Sequence, residues 1–158
     1  MRGSALLTLT LILLILPFAL QAQSASGVNL SGTWKLNAAK SKLLRTSKTP
    51  SQTLVIKQDG QIVFFYDTDG KQSVENYTAD KKERVIREIP EAGSKIVAKA
   101  YWKGATFITE TKAIFNGSSA VGEIMNTKDS WTISGDGFVL TEKTQWDEGQ
   151  SVSIYDKQ

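Results

Sequence analysis

The sequence predicts an all-β domain built as a single antiparallel up-and-down (meander) β-barrel of about eight to ten strands. Short runs of alternating apolar and polar residues recur at a spacing of roughly ten residues, which is typical of a sandwich or a barrel. Turn dipeptides separate these runs, as at Asp59-Gly60, Asp69-Gly70 and Asn116-Gly117. No sustained helical period follows Ala22. Because the connections are short, neighbouring strands are expected to be antiparallel and adjacent.

The alternation and the turns together predict the individual strands. In chain order these are Gly32–Leu36, Thr53–Gln58, Gln61–Asp67, Gln72–Ala79, Glu83–Ile89, Lys95–Trp102, Ala105–Phe115, Ala120–Ile133, Phe138–Trp146 and Ser151–Asp156. The segment Ala120–Ile133 is either one long strand or two halves of a bent one. Pro90 ends the fifth strand because proline cannot donate to a ladder. A meander of this length leaves two edges unless it closes, so closure into a barrel is predicted.

The N-terminal residues have the organisation of a signal peptide. A positive start at Arg2 is followed by the almost unbroken apolar run Ala5–Leu20, which Pro17 interrupts near its end. Met1–Ala22 is therefore predicted to be a secretory signal that is cleaved after Ala22. The alternative is a retained membrane anchor, since ~18 apolar residues can just span a bilayer. Pro17 and the lack of basic residues directly after the run favour cleavage, which leaves residues 23–158 as one domain without a transmembrane segment.

Cysteine and histidine are absent from the chain. Thiol nucleophiles, zinc clusters and Ser-His-Asp arrangements are thereby excluded, and the commonest metal and haem ligand is missing. We therefore expect no catalytic residues, no metal and no cofactor. An exported domain of this size without disulfides fits a bacterial protein that is periplasmic or secreted. The formal net charge of +3 is too small to indicate a nucleic-acid-binding surface.

One connection is longer than the others. It spans Ala38–Ser51 and contains four basic residues and no acidic residue, the basic ones being Lys40, Lys42, Arg45 and Lys48. One interpretation is a solvated crossing loop, or a single helical turn, that covers the base of the barrel. The other is a basic flap that guides an anionic ligand or touches a membrane surface.

Alternate residues along a strand share one face of the sheet. Phe64 and Tyr66 therefore share a face, and Phe65 lies on the other. Many of the predicted faces mix apolar side chains with Thr, Glu, Lys or Arg. A barrel of about eight to ten strands either encloses one small ligand or is filled by its own side chains.

The residues at the two ends of the domain resemble those of a known superfamily. The first strand opens with Gly32-Thr33-Trp34, and the last strand contains Ser153-Ile154-Tyr155-Asp156-Lys157. This pairing is similar to that of the lipocalins and fatty-acid-binding proteins, whose barrels begin with Gly-x-Trp. The stretch NLSGTWKLNAAKSK and the terminal YDKQ look still more like a group of exported bacterial lipocalin-like proteins of unknown function. The resemblance implies that Trp34 packs across the closed end of the barrel, against a basic residue from a late strand.

Departures from the fatty-acid-binding proteins affect what the resemblance implies about a ligand. Those proteins insert two lid helices after the first strand, and the Ala38–Ser51 connection is too short for both. They also hold the ligand carboxylate with an Arg two residues before the tyrosine of the terminal strand. Tyr155 matches that tyrosine, but Ser153 stands at the Arg position, and Asp129–Ile133 has no Arg where a second one would fall. A fatty-acid head group held in that way is therefore not expected.

We expect a non-enzymatic, monomeric exported protein that binds a small apolar or amphiphilic ligand in the barrel cup. The candidate ligand-binding residues are Phe64, Tyr66, Arg87, Trp102, Trp131, Lys143 and Tyr155. Arg87 and Lys143 either meet a polar head or pack on Trp34. A second hypothesis is a filled barrel scaffold of the cell envelope that acts through surface contacts with other proteins. A third is an enzyme that uses paired carboxylates such as Glu123 and Asp129 on the long strand.

Overall fold

The computed structural model describes residues 27–44, 50–117 and 120–158, leaving out the side chains of residues 92 and 116–125. Within these ranges the chain forms ten β-strands, one for each predicted segment. They are β1 Gly32–Leu36, β2 Thr53–Asp59, β3 Gln61–Thr68, β4 Lys71–Tyr77, β5 Arg84–Ile89, β6 Ser94–Lys103, β7 Thr106–Gly117, β8 Ala120–Ile133, β9 Val139–Trp146 and β10 Gly149–Lys157. A 3-10 turn at Pro90–Ala92 follows β5, so proline ends that strand as expected. The all-β fold class is confirmed.

The strands form one antiparallel sheet in the order β4-β3-β2-β1-β10-β9-β8-β7-β6-β5. Strands that are consecutive in the chain pair with each other, which confirms the meander, except at β4 and β5. In addition, β1 pairs with β10, with Trp34 opposite Lys157 and Leu36 opposite Tyr155. This pairing joins the two ends of the domain. The sheet then curls until β4 and β5 lie beside each other.

Closure differs from the prediction at this seam between β4 and β5. No backbone ladder joins the two strands among the described residues, so two strand edges remain where none was expected. Side chains connect them instead, because Arg87 Nη2 on β5 lies 2.8 Å from Glu75 Oε1 on β4. A bulge in β5 between Val85 and Arg87 shifts its register against β6. Bulges increase the local twist of a strand, which disfavours continued pairing at its edge.

Side chains from alternate strand positions fill the lumen. On β3, Phe64 is fully buried and Tyr66 is 8% exposed, whereas Phe65 on the other face has Lys57 Nζ 5.1 Å from its ring centre. The predicted separation of these faces is confirmed. The buried core consists of Leu30, Trp34, Leu54, Ile56, Ile62, Phe64, Tyr66, Tyr77, Ala98, Ala100, Phe107, Trp131, Leu140 and Tyr155. Each large apolar side chain buried in this way contributes about 1.5–3 kcal/mol, so the core is the main source of stability in a chain without cysteine.

Two regions discussed from the sequence lie partly or wholly outside the described residues. The predicted signal segment Met1–Ala22 is one, and residues 45–49 of the basic connection are the other. The described part of that connection makes a turn and then runs beside β10, where Lys42 and Val152 exchange two backbone hydrogen bonds of 2.8 Å. Where the chain is described, no helix has the length and apolar character needed to cross a bilayer.

Candidate functional site

The segment before β1 closes one end of the barrel. Leu30 and Trp34 are fully buried, and the indole N–H of Trp34 donates a hydrogen bond of 3.1 Å to the carbonyl of Leu30. Gly32 faces the same ring, since a Cβ atom at this position would lie 3.2 Å from the indole. The Gly-x-Trp sequence thus places a small residue directly against the tryptophan that it precedes.

A basic residue of the last strand packs on Trp34. Lys157 Nζ lies 5.5 Å from the centre of the tryptophan ring. The contact that the resemblance implied is therefore made by Lys157, whereas Arg87 extends across the seam to Glu75. Lys143 alternates on β9 with the lumen-facing Glu142, so its side chain lies on the outer face and not in the cup.

Aromatic rings pack against one another in the lumen. The centroid of Phe64 lies 4.8 Å from that of Trp131 and 5.8 Å from that of Tyr66. Phe107 lies 6.1 Å from Phe64 and 5.2 Å from Trp102. We call this group the aromatic cluster: Phe64, Tyr66, Tyr77, Trp102, Phe107 and Trp131. It contains the four aromatic residues selected from the sequence as a lining, together with two that sequence reasoning missed, Tyr77 and Phe107.

A polar pocket adjoins the aromatic cluster at Tyr66, which belongs to both. Its walls carry several hydroxyl groups and one carboxylate, and they are formed by Pro50, Ser51, Tyr66, Glu142, Thr144, Ser151, Ser153 and Tyr155. The volume of the pocket is about 20 Å³. That is room for one water molecule, whereas small-molecule sites usually hold ~300–1,000 Å³. In this conformation the polar pocket is closed to a larger ligand.

Tyr155 directs its hydroxyl toward the polar pocket. The residue is 1% exposed, and its O–H donates to Glu142 Oε2 on the neighbouring strand β9 at 3.1 Å. Burial, followed by the negative charge of Glu142, raises the pKa of the Tyr155 phenol above its ordinary value of 10.0. The phenol therefore stays neutral and continues to donate. Ser153, 5% exposed, lies on the same face two residues earlier.

The seam between β4 and β5 contains a buried charge. Glu75 is 6% exposed and accepts a hydrogen bond of 2.8 Å from the Tyr77 hydroxyl. Its other carboxylate oxygen lies 2.8 Å from Arg87 Nη2. A buried carboxylate requires such partners, because removal from water strongly disfavours an isolated charge. Arg87, a candidate for binding a polar head, is thus engaged by a carboxylate of its own barrel.

Carboxylates from three strands face the described part of the lumen, namely Glu75, Asp129 and Glu142. Asp129 Oδ2 accepts a hydrogen bond of 3.4 Å from Thr109, which is 1% exposed. All three carboxylates act on Tyr66, whose phenol pKa is raised first by burial and then by these negative charges among others. The upper part of the lumen is therefore acidic as well as aromatic.

The proposed catalytic pair is only half described. Asp129 faces the lumen, while the side chain of Glu123 lies outside the described residues. No group of three or more His, Cys, Asp or Glu side chains converges to hold a metal in the part of the chain that the structure describes.

A larger groove of about 570 Å³ runs over outward-facing side chains of the long strands. It is lined by Glu83, Lys99, Glu110, Thr111, Lys112, Asn126, Thr127, Lys128, Gln145, Trp146 and Asp147. Its charges are paired within the sheet, with Lys99 Nζ 2.7 Å from Glu110 and Lys112 Nζ 3.3 Å from Glu83. The groove therefore shows no preference for a ligand of either charge.

Comparison with known proteins identifies the fold. No protein-family model and no curated protein matches the chain. Among solved structures, it is similar to the REP1-NXSQ fatty acid transporter, with 17% identity, a TM-score of 0.57, and coverage of 82% of this chain and 96% of that chain. Fatty-acid-binding protein 1 of Echinococcus granulosus matches with 13% identity and a TM-score of 0.54, over 80% of this chain and 96% of that one. Secretory abundant heat soluble protein 4 of Ramazzottius varieornatus matches with 12% identity and a TM-score of 0.52, over 82% and 94%. At these identities the likeness concerns the fold, which is that of the fatty-acid-binding-protein-like barrels.

Proposed function

We propose that the protein is a non-enzymatic, exported binding protein that holds one small amphiphilic molecule in the lumen of its barrel. The observation that carries this proposal is the position of the polar pocket directly beside the aromatic cluster. Tyr66 stacks on Phe64 at 5.8 Å and also lines the polar pocket. A ligand with an apolar body and a polar head would place the body against the rings and the head beside Glu142.

The polarity of the lumen supports a binding role. Thr109, Ser151, Ser153 and Glu75 are all at most 6% exposed. A core that serves stability alone gains most from apolar side chains, because a buried polar group contributes little even when it is hydrogen-bonded. Polar groups concentrated at one place in the lumen are expected where a ligand is recognised. The fold neighbours named for fatty-acid transport and fatty-acid binding also support the lumen as the site.

A ligand requires the polar pocket to enlarge, and one of its walls is suited to move. Pro50 and Ser51 precede β2 and are the part of the lining that lies outside the strands. Ser51 is held by a hydroxyl contact of 3.1 Å with Thr68, and the Gln52 N–H donates to the Asp67 carbonyl at 2.9 Å. Displacing this wall breaks about two hydrogen bonds, each with a net value of ~0.5–1.5 kcal/mol, and leaves the strand ladders intact.

Dye binding tests the proposal. An environment-sensitive apolar dye should bind with micromolar affinity, about −8 kcal/mol, and long-chain amphiphiles should displace it. Tyr155→Phe should weaken polar-headed competitors by about fivefold, the equivalent of one hydrogen bond, and apolar competitors much less. Tyr101→Phe is the matched control, because the Tyr101 hydroxyl also donates to a carboxylate, Glu110 at 2.7 Å, but on the outer face. A dye that binds no better than to an unrelated filled barrel contradicts the proposal.

A second candidate function is that of a filled envelope scaffold that acts through its surface. The observation that favours it is the small volume of the polar pocket, about 20 Å³. Native mass spectrometry of protein purified from its own host separates the two candidates. A co-purifying small molecule supports the binding barrel, and bare protein that also fails to bind the dye supports the scaffold.

Export to a bacterial periplasm or to the exterior is part of the proposal. Removal of Met1–Ala22 should leave a chain that begins at Gln23. The intact mass of the protein in the periplasmic fraction checks this expectation. A full-length species that stays with the membranes would contradict it.

A further inference from the structure

The charged side chains in the described lumen have an excess of one sign. Glu75, Asp129 and Glu142 are negative, and Arg87 supplies the opposing positive charge. That guanidinium lies 2.8 Å from Glu75, at the seam between β4 and β5. The polar pocket itself is lined by Glu142 and contains no lysine or arginine among its lining residues.

The polar pocket is built to accept hydrogen bonds. An ionised carboxylate such as Glu142 is an acceptor only, and serine and threonine hydroxyls accept as readily as they donate. The lining adds the hydroxyls of Ser51, Thr144, Ser151 and Ser153 to that carboxylate. The Tyr155 hydroxyl already donates to Glu142. A head group that enters this space therefore finds more acceptors than donors.

We infer that the lumen takes an amphiphile with a protonated amine as its head group and discriminates against a carboxylate head. This inference rests on the proposed function and names its ligand class. An ammonium group is a compact donor of three hydrogen bonds, and its bond to the Glu142 carboxylate would be charge-assisted. A carboxylate at the same place would be repelled by Glu142 and Asp129, and charges interact more strongly in the interior than in water because the effective dielectric constant is lower there.

The aromatic cluster supports the same head group. Tyr66 lies at the junction of the cluster and the polar pocket, stacked 5.8 Å from Phe64. An ammonium group near the face of a tyrosine ring is attracted by the quadrupole of the ring, whereas an anion is repelled. The ring and the carboxylates therefore favour the same sign of charge.

Three amphiphiles with one alkyl chain and different heads test the inference in the dye-displacement assay at neutral pH, below their micelle-forming concentrations. They are dodecylamine, dodecanol and dodecanoate. We expect dodecylamine to bind at least about tenfold more tightly than dodecanoate, with dodecanol between them. Equal or tighter binding of dodecanoate would overturn the inference and leave the proposed function intact. Failure of all three to displace the dye, or failure of the dye to bind, would overturn both.

Isosteric variants identify the residue responsible. Glu142→Gln removes the charge and retains the shape, and it should reduce the preference for the amine over the carboxylate by about tenfold. Glu148→Gln, in the exposed turn between β9 and β10, is the matched control and should leave the preference unchanged. Asp129→Asn gives a second reading in the lumen, with a smaller reduction expected, and replaces Glu142→Gln if that variant does not fold. A preference that stays unchanged in the folded lumen variants would overturn the assignment.

Discussion

The base of the barrel and the polar pocket are formed by the same sheet but differ in chemistry. At the base, Leu30 and Trp34 are fully buried, and the indole N–H is satisfied by a nearby carbonyl. At the polar pocket, Tyr66, Glu142 and Tyr155 place hydroxyls and a carboxylate around a space of about 20 Å³. Apolar burial stabilises a fold without further conditions, whereas each buried polar group needs a partner before it stops destabilising. The base is thus suited to stability, and the polar pocket to the recognition that we propose.

The largest effect should come from the base. Trp34→Ala should lower the free energy of unfolding by ~3–5 kcal/mol, because it deletes a fully buried aromatic side chain. Phe138→Ala provides the control, since Phe138 is 64% exposed and its loss should change stability by no more than ~0.5 kcal/mol. Equilibrium urea denaturation compares the variants. An unchanged midpoint for Trp34→Ala would remove the base from its stabilising role.

An intermediate effect is expected at the seam. Arg87→Met should destabilise the protein by ~1–3 kcal/mol, because it leaves the buried Glu75 carboxylate without its ion pair. Hydrogen exchange should then accelerate in β4 and β5, where side chains replace the missing ladder. Arg84→Met is the matched control on the same strand. Its partner Asp80 is solvent-accessible, so the smaller effect of an exposed ion pair is expected. Equal exchange rates in the two variants would show that the Glu75 pair does not hold the seam.

The smallest effect depends on pH and separates the polar pocket from the base, which has no ionisable group at Leu30 or Trp34. The pKa of the Tyr66 phenol is raised by burial, so the folded protein keeps a proton that the unfolded chain releases. Stability is therefore fully present below about pH 10 and falls above it, by up to ~1.4 kcal/mol per pH unit for each such tyrosine. Tyr66→Phe should make this alkaline loss less steep. Urea denaturation at several alkaline pH values measures the slope.

The outer tyrosine gives the reference for that measurement. Tyr101 is partly exposed, and the hydrogen bond to Glu110 is the first cause of the raised pKa of its phenol. Tyr101→Phe should therefore change the alkaline slope less than Tyr66→Phe does. Identical slopes in the wild type and Tyr66→Phe would mean that the Tyr66 hydroxyl reaches solvent in the folded state.

Strand positions could be predicted from the sequence more reliably than strand faces. The Asp59-Gly60 turn and the alternation around Phe64 are local signals, and both are reproduced. On β4 the apolar signal is misleading, because Val74 is 46% exposed and its neighbour Glu75 is 6% exposed. Hydrophobicity alone would place Val74 inside. Glu75 is buried because the curl of the sheet brings Arg87 to it from another strand.

The sequence by itself determined the ten strands, the turns between them and the absence of histidine and cysteine chemistry, because these depend on local periodicity and composition. The tertiary structure decided that Lys157, and not Lys143, packs on Trp34, and that Arg87 serves Glu75 at the seam. The strands of a barrel are tilted and staggered, so residues far apart in the chain meet in the lumen. Those meetings depend on the register and curvature of the whole sheet, which no single strand encodes.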